Sequence, residues 1–367
     1  MNYMIGIERE GIRIFPDGRM ADTPHPPEFG DKLKNPLIST DFGEAMLELR
    51  TRPCPDPEVC YRELLEVTEE AERVLQCHGE LLWPYSIPFV TPDENAFPYN
   101  RYPGRADMEE YERVITGIYG IKRCCISGIH VNFSVGQDAL REIRKHYPAV
   151  PEDRDEAYFR CARQILAHED VLRHFFDASP TDYDGKLMEA DSLRNSPKGY
   201  RHENAKLLDY SNKAAYLSSL KNTRIYERFA AIRLRSGDKE NLDEGIADHG
   251  IERLEFRLCD INPFDPCGIS EREITLVTAI LFTCMVIEEV PDDPKELLVR
   301  CEEVDRKLML GFGREIHFYQ KQEECEIRKS DMVRKLIREE GFSGMIKLAL
   351  QYRDMSMKHS GMRMTPQ

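Results

Sequence analysis

Several features are missing from this chain of 367 residues, and each absence narrows what it can be. No apolar run reaches the roughly 18 residues that a membrane-spanning helix needs. The longest, Ile274 to Ile287, carries threonines and is flanked by charge. Basic residues are outnumbered, 51 Lys and Arg against 66 Asp and Glu. The net charge of −15 argues against a generic nucleic-acid or anionic-membrane partner, whose footprint is basic. The 11 cysteines contain no CxxC pair, and no signal-like segment precedes the first strand, so reduced thiols in a cytoplasmic protein are expected. There is one tryptophan, no internal repeat and no low-complexity tract. The phosphate cradles GxxxxGK(S/T) and strand-borne GxGxxG are absent, as are the GxSxG elbow and the HExxH helix. A nucleotide, if bound, must be held by metals and arginines rather than by a glycine-rich loop.

What is present begins in the first ten residues. Ile5, Ile7, Ile12 and Ile14 are apolar and β-branched, which predicts a buried strand. Alternation puts Glu8 and Glu10 on one face of it and Ile7 on the other. Two carboxylates side by side in a greasy strand repel each other and cost desolvation, which a cation between them relieves. An edge strand with one wet face explains the same pattern, and this segment alone does not separate the two.

The length suits two domains or one large α+β unit. The expected division is a catalytic sheet-and-helix unit over 1–290 and a C-terminal helical extension over 291–367, frayed from Met357. A strand is expected over Ile38–Leu49, with Glu44, Met46 and Glu48 on one face and Asp41 brought to it only by a bulge at Gly43. Asp56-Pro57 opens a helix that Gly79 ends, and Leu81–Val90 is an extended crossing. A helix over Met108–Tyr119 has Tyr111, Ile115 and Ile118 on one side, and Cys124–Val135 reads as a strand. Residues 152–176 are helical with a break near His168, and Asp177–Asn204 is a long polar loop. A helix near Leu207–Lys221, a strand over Ile225–Arg235, an acidic loop to Gly250 and a strand over Ile251–Cys259 follow. The capping box Ser270–Glu273 opens a buried helix to Ile287, and 293–353 is helical with turns near Gly311–Gly313 and Gly341–Gly344.

Four predicted strands carry polar or ionisable groups in i, i+2 or i, i+4 register: Glu8 with Glu10, Glu44 with Glu48, His130 with Asn132, and Glu255 with Arg257. One such pair is ordinary on a solvated strand. Four in one chain, flanked by β-branched or aromatic residues, indicate a shared polar face. Carboxylates with one imidazole and little thiolate form a hard-cation site, favouring Mg²⁺ or Mn²⁺ over zinc. Arg257 puts a guanidinium on the face of Glu255, and Arg194, Arg233 and Arg235 repeat the theme, Arg235 reading best as surface charge. Metals and arginines on one face suit a phosphorylated, anionic ligand.

Together these segments resemble a known family. GIEREGIRI, TDFGEAMLEL, ISGIHVNFS and LEFRLCDINPF are similar to the signature strands of bacterial-type glutamate–cysteine ligase (γ-glutamylcysteine synthetase). WPYSIP, SLRNSPKGY and DYSNK support the match, which holds from Gly6 to about Ile287. The resemblance implies an α+β, glutamine-synthetase-like fold, a curved and mainly antiparallel sheet forming a funnel with helices outside. It implies ATP-dependent phosphorylation of the glutamate γ-carboxylate, then attack by the cysteine amine on the acyl phosphate. That is the first step of glutathione synthesis, assisted by two to three Mg²⁺ or Mn²⁺ ions. By motif, Glu8, Glu10, Asp41, Glu48, His130 and Glu255 match metal-ligand positions, with Glu44 between two of them. Arg257, with Glu255, matches the catalytic face toward the transferring phosphoryl group. Arg194 matches a substrate-carboxylate contact, Tyr111, Tyr200 and Tyr226 with Phe42 match the amino-acid pocket, and Arg233 joins them as a substrate-binding candidate. Expected partners are ATP, glutamate and cysteine or another amine, with neither nucleic acid nor membrane, in a monomer or small homo-oligomer.

The chain departs from the family pattern in three places. It is shorter at its C-terminal end; Glu112 follows Tyr111 where the pattern has an arginine that helps hold the amino-acid substrate; and an SDLGY segment reads Ser196-Pro197-Lys198-Gly199-Tyr200. Two of these touch the amino-acid pocket, so three alternatives stay open: a ligase for a different amine, a non-catalytic metal- and nucleotide-binding protein, and a metal-dependent hydrolase. No ATP-grasp module follows, so glutathione itself is not an expected product of this chain alone.

Overall fold

The computed structural model describes residues 1–88, 90–91, 96–102, 104–201, 207–223, 226–237 and 242–359. Its spine is β1 (Tyr3–Ile14), where the alternation works as the isoleucines predict. Tyr3, Ile5 and Ile7 are buried in the main apolar cluster, while Glu8 and Glu10 face a cavity on the other side. Beyond Glu10 the second face turns apolar, and Ile12 and Ile14 join a separate cluster with Phe42, Met46, Trp83 and Tyr85.

The other strands are β2 (Ile38–Thr40), β3 (Met46–Arg50), β4 (Leu81–Leu82), β5 (Ile129–Val135), β6 (Ile232–Arg235) and β7 (Arg253–Cys259). Their order is β2-β3-β1-β5-β7-β6, with β4 added at the far end of β1 and every pairing antiparallel. The path does not close, so β2 and β6 are edges. An open antiparallel sheet with helices is the α+β architecture expected.

Helices cover the face that carries Ile5 and Ile7. In α1 (Pro57–Cys77), the Asp56 side chain accepts from the Val59 amide and Pro57 occupies the first turn, as the sequence predicts. Then come α2 (Ala106–Tyr119), α3 (Ile121–Cys124), α4 (Gln137–His146), α5 (Arg154–Ala167), α6 (Glu169–Arg173), α7 (Lys213–Thr223) and α8 (Leu242–His249). The helix α9 (Glu271–Val286) opens on the reciprocal Ser270–Glu273 capping box and is buried throughout Ile274–Val286. It sets Phe282 edge-on to Tyr3 and Phe133. The chain continues as α10 (Pro294–Leu308), α11 (Gly313–Glu324), α12 (Lys329–Glu340) and α13 (Phe342–His359). Leu297, Cys301, Leu308 and Ile316 share the apolar cluster of β1 and β5. Among the described residues no helix is long and apolar enough to cross a membrane.

Several elements differ from expectation. The strand expected over Ile38–Leu49 is a hairpin of β2 and β3, with 41–45 as its turn. Gly43 takes φ +66° there, and a Cβ would meet the Phe97 ring at 2.7 Å, so it is a turn glycine and not a bulge. Glu44 therefore leaves the face of Glu48; it pairs with Lys32 at 2.8 Å and accepts from the His25 and Arg101 amides. The strand expected from Cys124 begins only at Ile129, Cys124 instead ending α3, and the acidic segment before Gly250 contains α8. The segment that becomes α4 carried no expectation, although Ala139, Leu140 and Ile143 give it a buried stripe. The strand expected from Ile225 is confined to β6, after a 3-10 turn at Tyr226–Phe229; 224–225 lie outside the described residues. The helix expected near Leu207 begins only at Lys213. The tail expected to fray from Met357 is helical to His359, and 360–367 lie outside the described residues. On α2 the buried residues are Glu112, Ile115, Thr116 and Tyr119, which leaves Tyr111 and Ile118 on the exposed side.

Candidate active site

Cross-strand register carries the polar face from strand to strand. Arg50, Glu8 and His130 stand side by side on β3, β1 and β5; Asn132, Glu255 and Arg233 do so on β5, β7 and β6; and Glu10 lies opposite Glu48. Residues paired in register share a face. Here that face floors a cavity of about 590 Å³. Of the residues expected at the site, Glu8, Glu10, Asp41, Glu48, His130, Tyr200, Arg233, Glu255 and Arg257 line it.

His130 lies at the centre. Its Nδ1 is 3.3 Å from Glu8 Oε2 and 3.7 Å from Glu255 Oε1, and its Nε2 is 3.5 Å from Glu10 Oε1. That buried Nε2 has no hydrogen-bond partner. One ligand atom each from Glu8, His130 and Glu255 lies within 4.8 Å of the others. Burial, and then the Glu8 charge, push the Glu48 carboxyl up to about 8 even with Arg50 at 3.3 Å. Burial opposes ionisation of Glu255 too, but Arg235, Arg257 and Arg233 outweigh it and hold that carboxyl well below the usual range. For Glu8, burial and Glu255 raise the pKa while the His130 hydrogen bond and charge bring it below the ordinary value. Clustered carboxylates, an orphaned imidazole nitrogen and a carboxyl whose pKa is raised by burial and by the Glu8 charge make a donor set that fits a hard divalent cation.

Arginines ring the acids. Arg257 hydrogen-bonds Glu255 through Nη1 and donates to the Arg228 carbonyl through Nη2 at 2.9 Å. Burial works against its charge, but Glu255 and Glu10 raise its pKa further. Arg235, read from sequence as surface charge, instead donates to Glu255 Oε2 at 2.8 Å and lines the cavity. Sequence reasoning missed Arg50, Arg253 and Arg228, which also line it. Arg50 and Arg253 stand two residues from Glu48 and Glu255, the same signal that singled out Arg257. No periodicity marks Arg228, in the turn before β6, whose Nη2 donates to Asp41 Oδ2 at 2.5 Å.

Three expected residues do not line the cavity. Arg194 is fully buried behind Tyr200, its guanidinium 4.6 Å over that ring, with Nε and Nη2 lacking hydrogen-bond partners. Gly128 makes room for it, since a Cβ there would lie 2.3 Å from Arg194 Nε, and the Gly128 amide donates to Glu10 Oε2 at 2.8 Å. Phe42 is buried against Phe97, ring centroids 5.1 Å apart. Tyr111 is 42% exposed on α2. The side chain of Tyr226 lies outside the described residues. Glu112 is buried, and its carboxylate accepts from the amides of Gly43 at 3.1 Å and Asn100 at 2.9 Å and from Asn100 Nδ2 at 2.7 Å.

The chain is similar to known proteins along most of its length. A family model described as glutamate-cysteine ligase matches residues 1–226 and 224–304. The glutathione biosynthesis bifunctional protein of Listeria monocytogenes is 33% identical over 313 residues, 77% of this chain and 40% of that protein. A glutamate–cysteine ligase of Clostridium acetobutylicum is 29% identical over 355 residues, 80% of this chain and 73% of that one. The crystal structure of the Francisella tularensis glutamate–cysteine ligase in complex with AMP matches with a TM-score of 0.83 at 22% identity, over 97% of this chain and 89% of that one, a likeness of fold. That of a bifunctional glutathione synthetase from Pasteurella multocida matches with a TM-score of 0.80 at 25% identity, over 98% and 53%. The chain spans about 40% of the length of the bifunctional curated relatives. With four signature strands assembled on one face and the family model spanning most of the sequence, the chain belongs to the glutamate–cysteine ligase family.

Proposed function

We propose that this protein joins the γ-carboxylate of L-glutamate to the amino group of L-cysteine at the expense of ATP, through a γ-glutamyl phosphate. In that reaction a γ-carboxylate oxygen attacks the γ-phosphorus of ATP and ADP leaves. The amine nitrogen then attacks the acyl carbon, phosphate departs with the C–O electron pair, and the amine gives up a proton. The observation that carries the reading is the cavity floor, where Glu8, Glu10, Glu48, His130 and Glu255 converge beside Arg257. Glu8, His130 and Glu255, with Glu10, Asp41 and Glu48 around them, would hold two or three Mg²⁺ or Mn²⁺ ions. Bound there, such ions neutralise phosphate charge. Arg257, fixed by Glu255 and the Arg228 carbonyl, is positioned for the phosphoryl oxygens, and Arg233 adds a second cation to the same wall. No protein nucleophile is required. Tyr200, with Arg194 behind it, would bound the amino-acid pocket. The proposed setting is cytoplasmic, with the protein a monomer or small homo-oligomer, 1–290 forming the catalytic unit and 291–367 its helical extension.

A ligase for a different amine is the second reading, favoured by Glu112, whose carboxylate is taken up by Asn100 where the family pattern has a substrate-holding arginine, and by Tyr111 lying exposed and outside the cavity lining. Phosphate release from ATP with Mg²⁺ and glutamate, adding amines one at a time, separates the two. Strong stimulation by cysteine with a γ-glutamylcysteine mass supports the first; stimulation by another amine alone supports the second. No stimulation by any amine would overturn both.

A further inference from the structure

Arg228 is one of the cavity-wall cations that the phosphoryl chemistry leaves unused, and it pairs with Asp41 where Arg50 and Arg235 pair with Glu48 and Glu255. Its ion pair with Asp41 has side chains 15% and 24% exposed, and its guanidinium lies 5.4 Å from the Phe42 ring centroid. The next residue, Phe229, packs on Tyr119 and Tyr200 with ring centroids 4.6 Å away in each case, which anchors the turn. The backbone carbonyl of Arg228 accepts from Arg257, so the two guanidinium groups are tied through one main-chain atom. A guanidinium carries five N–H donors, and the bond to Asp41 engages one of them.

Position 112 explains why this matters. The family pattern has a substrate-holding arginine there, whereas Glu112 has the opposite charge and its carboxylate is occupied by Gly43 and Asn100. Glu112 braces the turn that carries Asp41 and Phe42 and does not line the cavity. A site for amino acids still needs a cation to balance a carboxylate removed from water. We propose that Arg228, oriented by Asp41, binds the α-carboxylate of an amino-acid substrate, replacing from the turn before β6 the arginine that α2 lacks. The assignment rests on the ligase reading and adds to it a residue that sets preference for α-amino acids over simple amines.

The test compares wild type with Arg228→Gln and Arg228→Lys on two probe pairs, cysteine against cysteamine and glutamate against 4-aminobutyrate. The members of each pair differ only in the α-carboxylate. In Arg228→Gln, the KM for one of the two amino acids should rise about 10²-fold, with kcat and the KM for ATP within about threefold. Activity on the matching compound without the carboxylate should stay level, so the preference collapses; whichever pair responds names the substrate held. Arg228→Lys, which keeps charge but loses the planar fork, should fall between, and it carries the test if the glutamine variant does not fold. Equal losses on both members of a pair, or a fall in kcat with both KM values intact, would overturn the assignment and leave the ligase reading standing. A wild type whose phosphate release answers to no amine would remove both.

Discussion

At the scale of single residues, Glu255 is the most heavily engaged carboxylate of the cavity, with Arg235 at 2.8 Å, Arg233 at 3.6 Å, Arg257 hydrogen-bonded and His130 at 3.7 Å. Changing it to glutamine removes a charge on which both the proposed cations and the arginines depend. Glu255→Gln should lower turnover about 10²-fold or more while circular dichroism stays that of wild type. Arg257→Lys keeps the charge but loses the planar fork that reaches Glu255 and the Arg228 carbonyl together, so steady-state kinetics should show a fall in kcat of about tenfold or more and a smaller change in the KM for the amine. Both residues were legible in the sequence because strand alternation forces i and i+2 onto one face. Arg228 was not, because a turn has no such period, and Asp41, the acid that locates it, is itself in a turn.

At the scale of elements, the strands and the capped helices could be read where local chemistry decides. Asp56-Pro57 and Ser270–Glu273 set their helix starts through side-chain acceptors. Elements failed to read where a turn interrupts an apolar run. The hairpin of β2 and β3 looked like one strand because its turn residues Phe42 and Ala45 are as buried as strand residues. That turn hinges on Gly43, and Gly43→Ala, with a strained φ and a clash against Phe97, should lower stability by about 2 kcal/mol in chemical denaturation. A second element, α1, holds a different consequence. Burial pushes the carboxyl of its Glu72 up to about 8, with nearby Arg9 only partly offsetting it. A carboxyl raised in the folded state supports stability fully below its unfolded value, near 4.5, and loses that support as pH rises through about 8. Glu72→Gln should therefore gain on wild type between pH 5 and pH 8.5 by on the order of 2 kcal/mol, read from melts at both pH values.

At the scale of the molecule, the polar face exists only because β1, β3, β5, β6 and β7 lie side by side, and acidic groups such as Glu10 and Glu48 end up opposite one another. Folding without cations thus works against repulsion inside the sheet. Saturating Mg²⁺ or Mn²⁺ should raise the melting temperature by several degrees, following the about 2.7 kcal/mol expected at a hundredfold excess over Kd, and a chelator should reverse it. The same shift should shrink in Glu8→Gln, measured by differential scanning fluorimetry. The position of β1 also bears on how the chain is made. It leaves the ribosome well before its neighbour β5, which follows only after α1 to α3, and Glu255 emerges on β7 later still. Until β5 emerges, then, β1 has only β3 and the short β4 to pair with and the edge that takes β5 stays exposed, the kind of nascent segment that chaperones hold until its partners arrive.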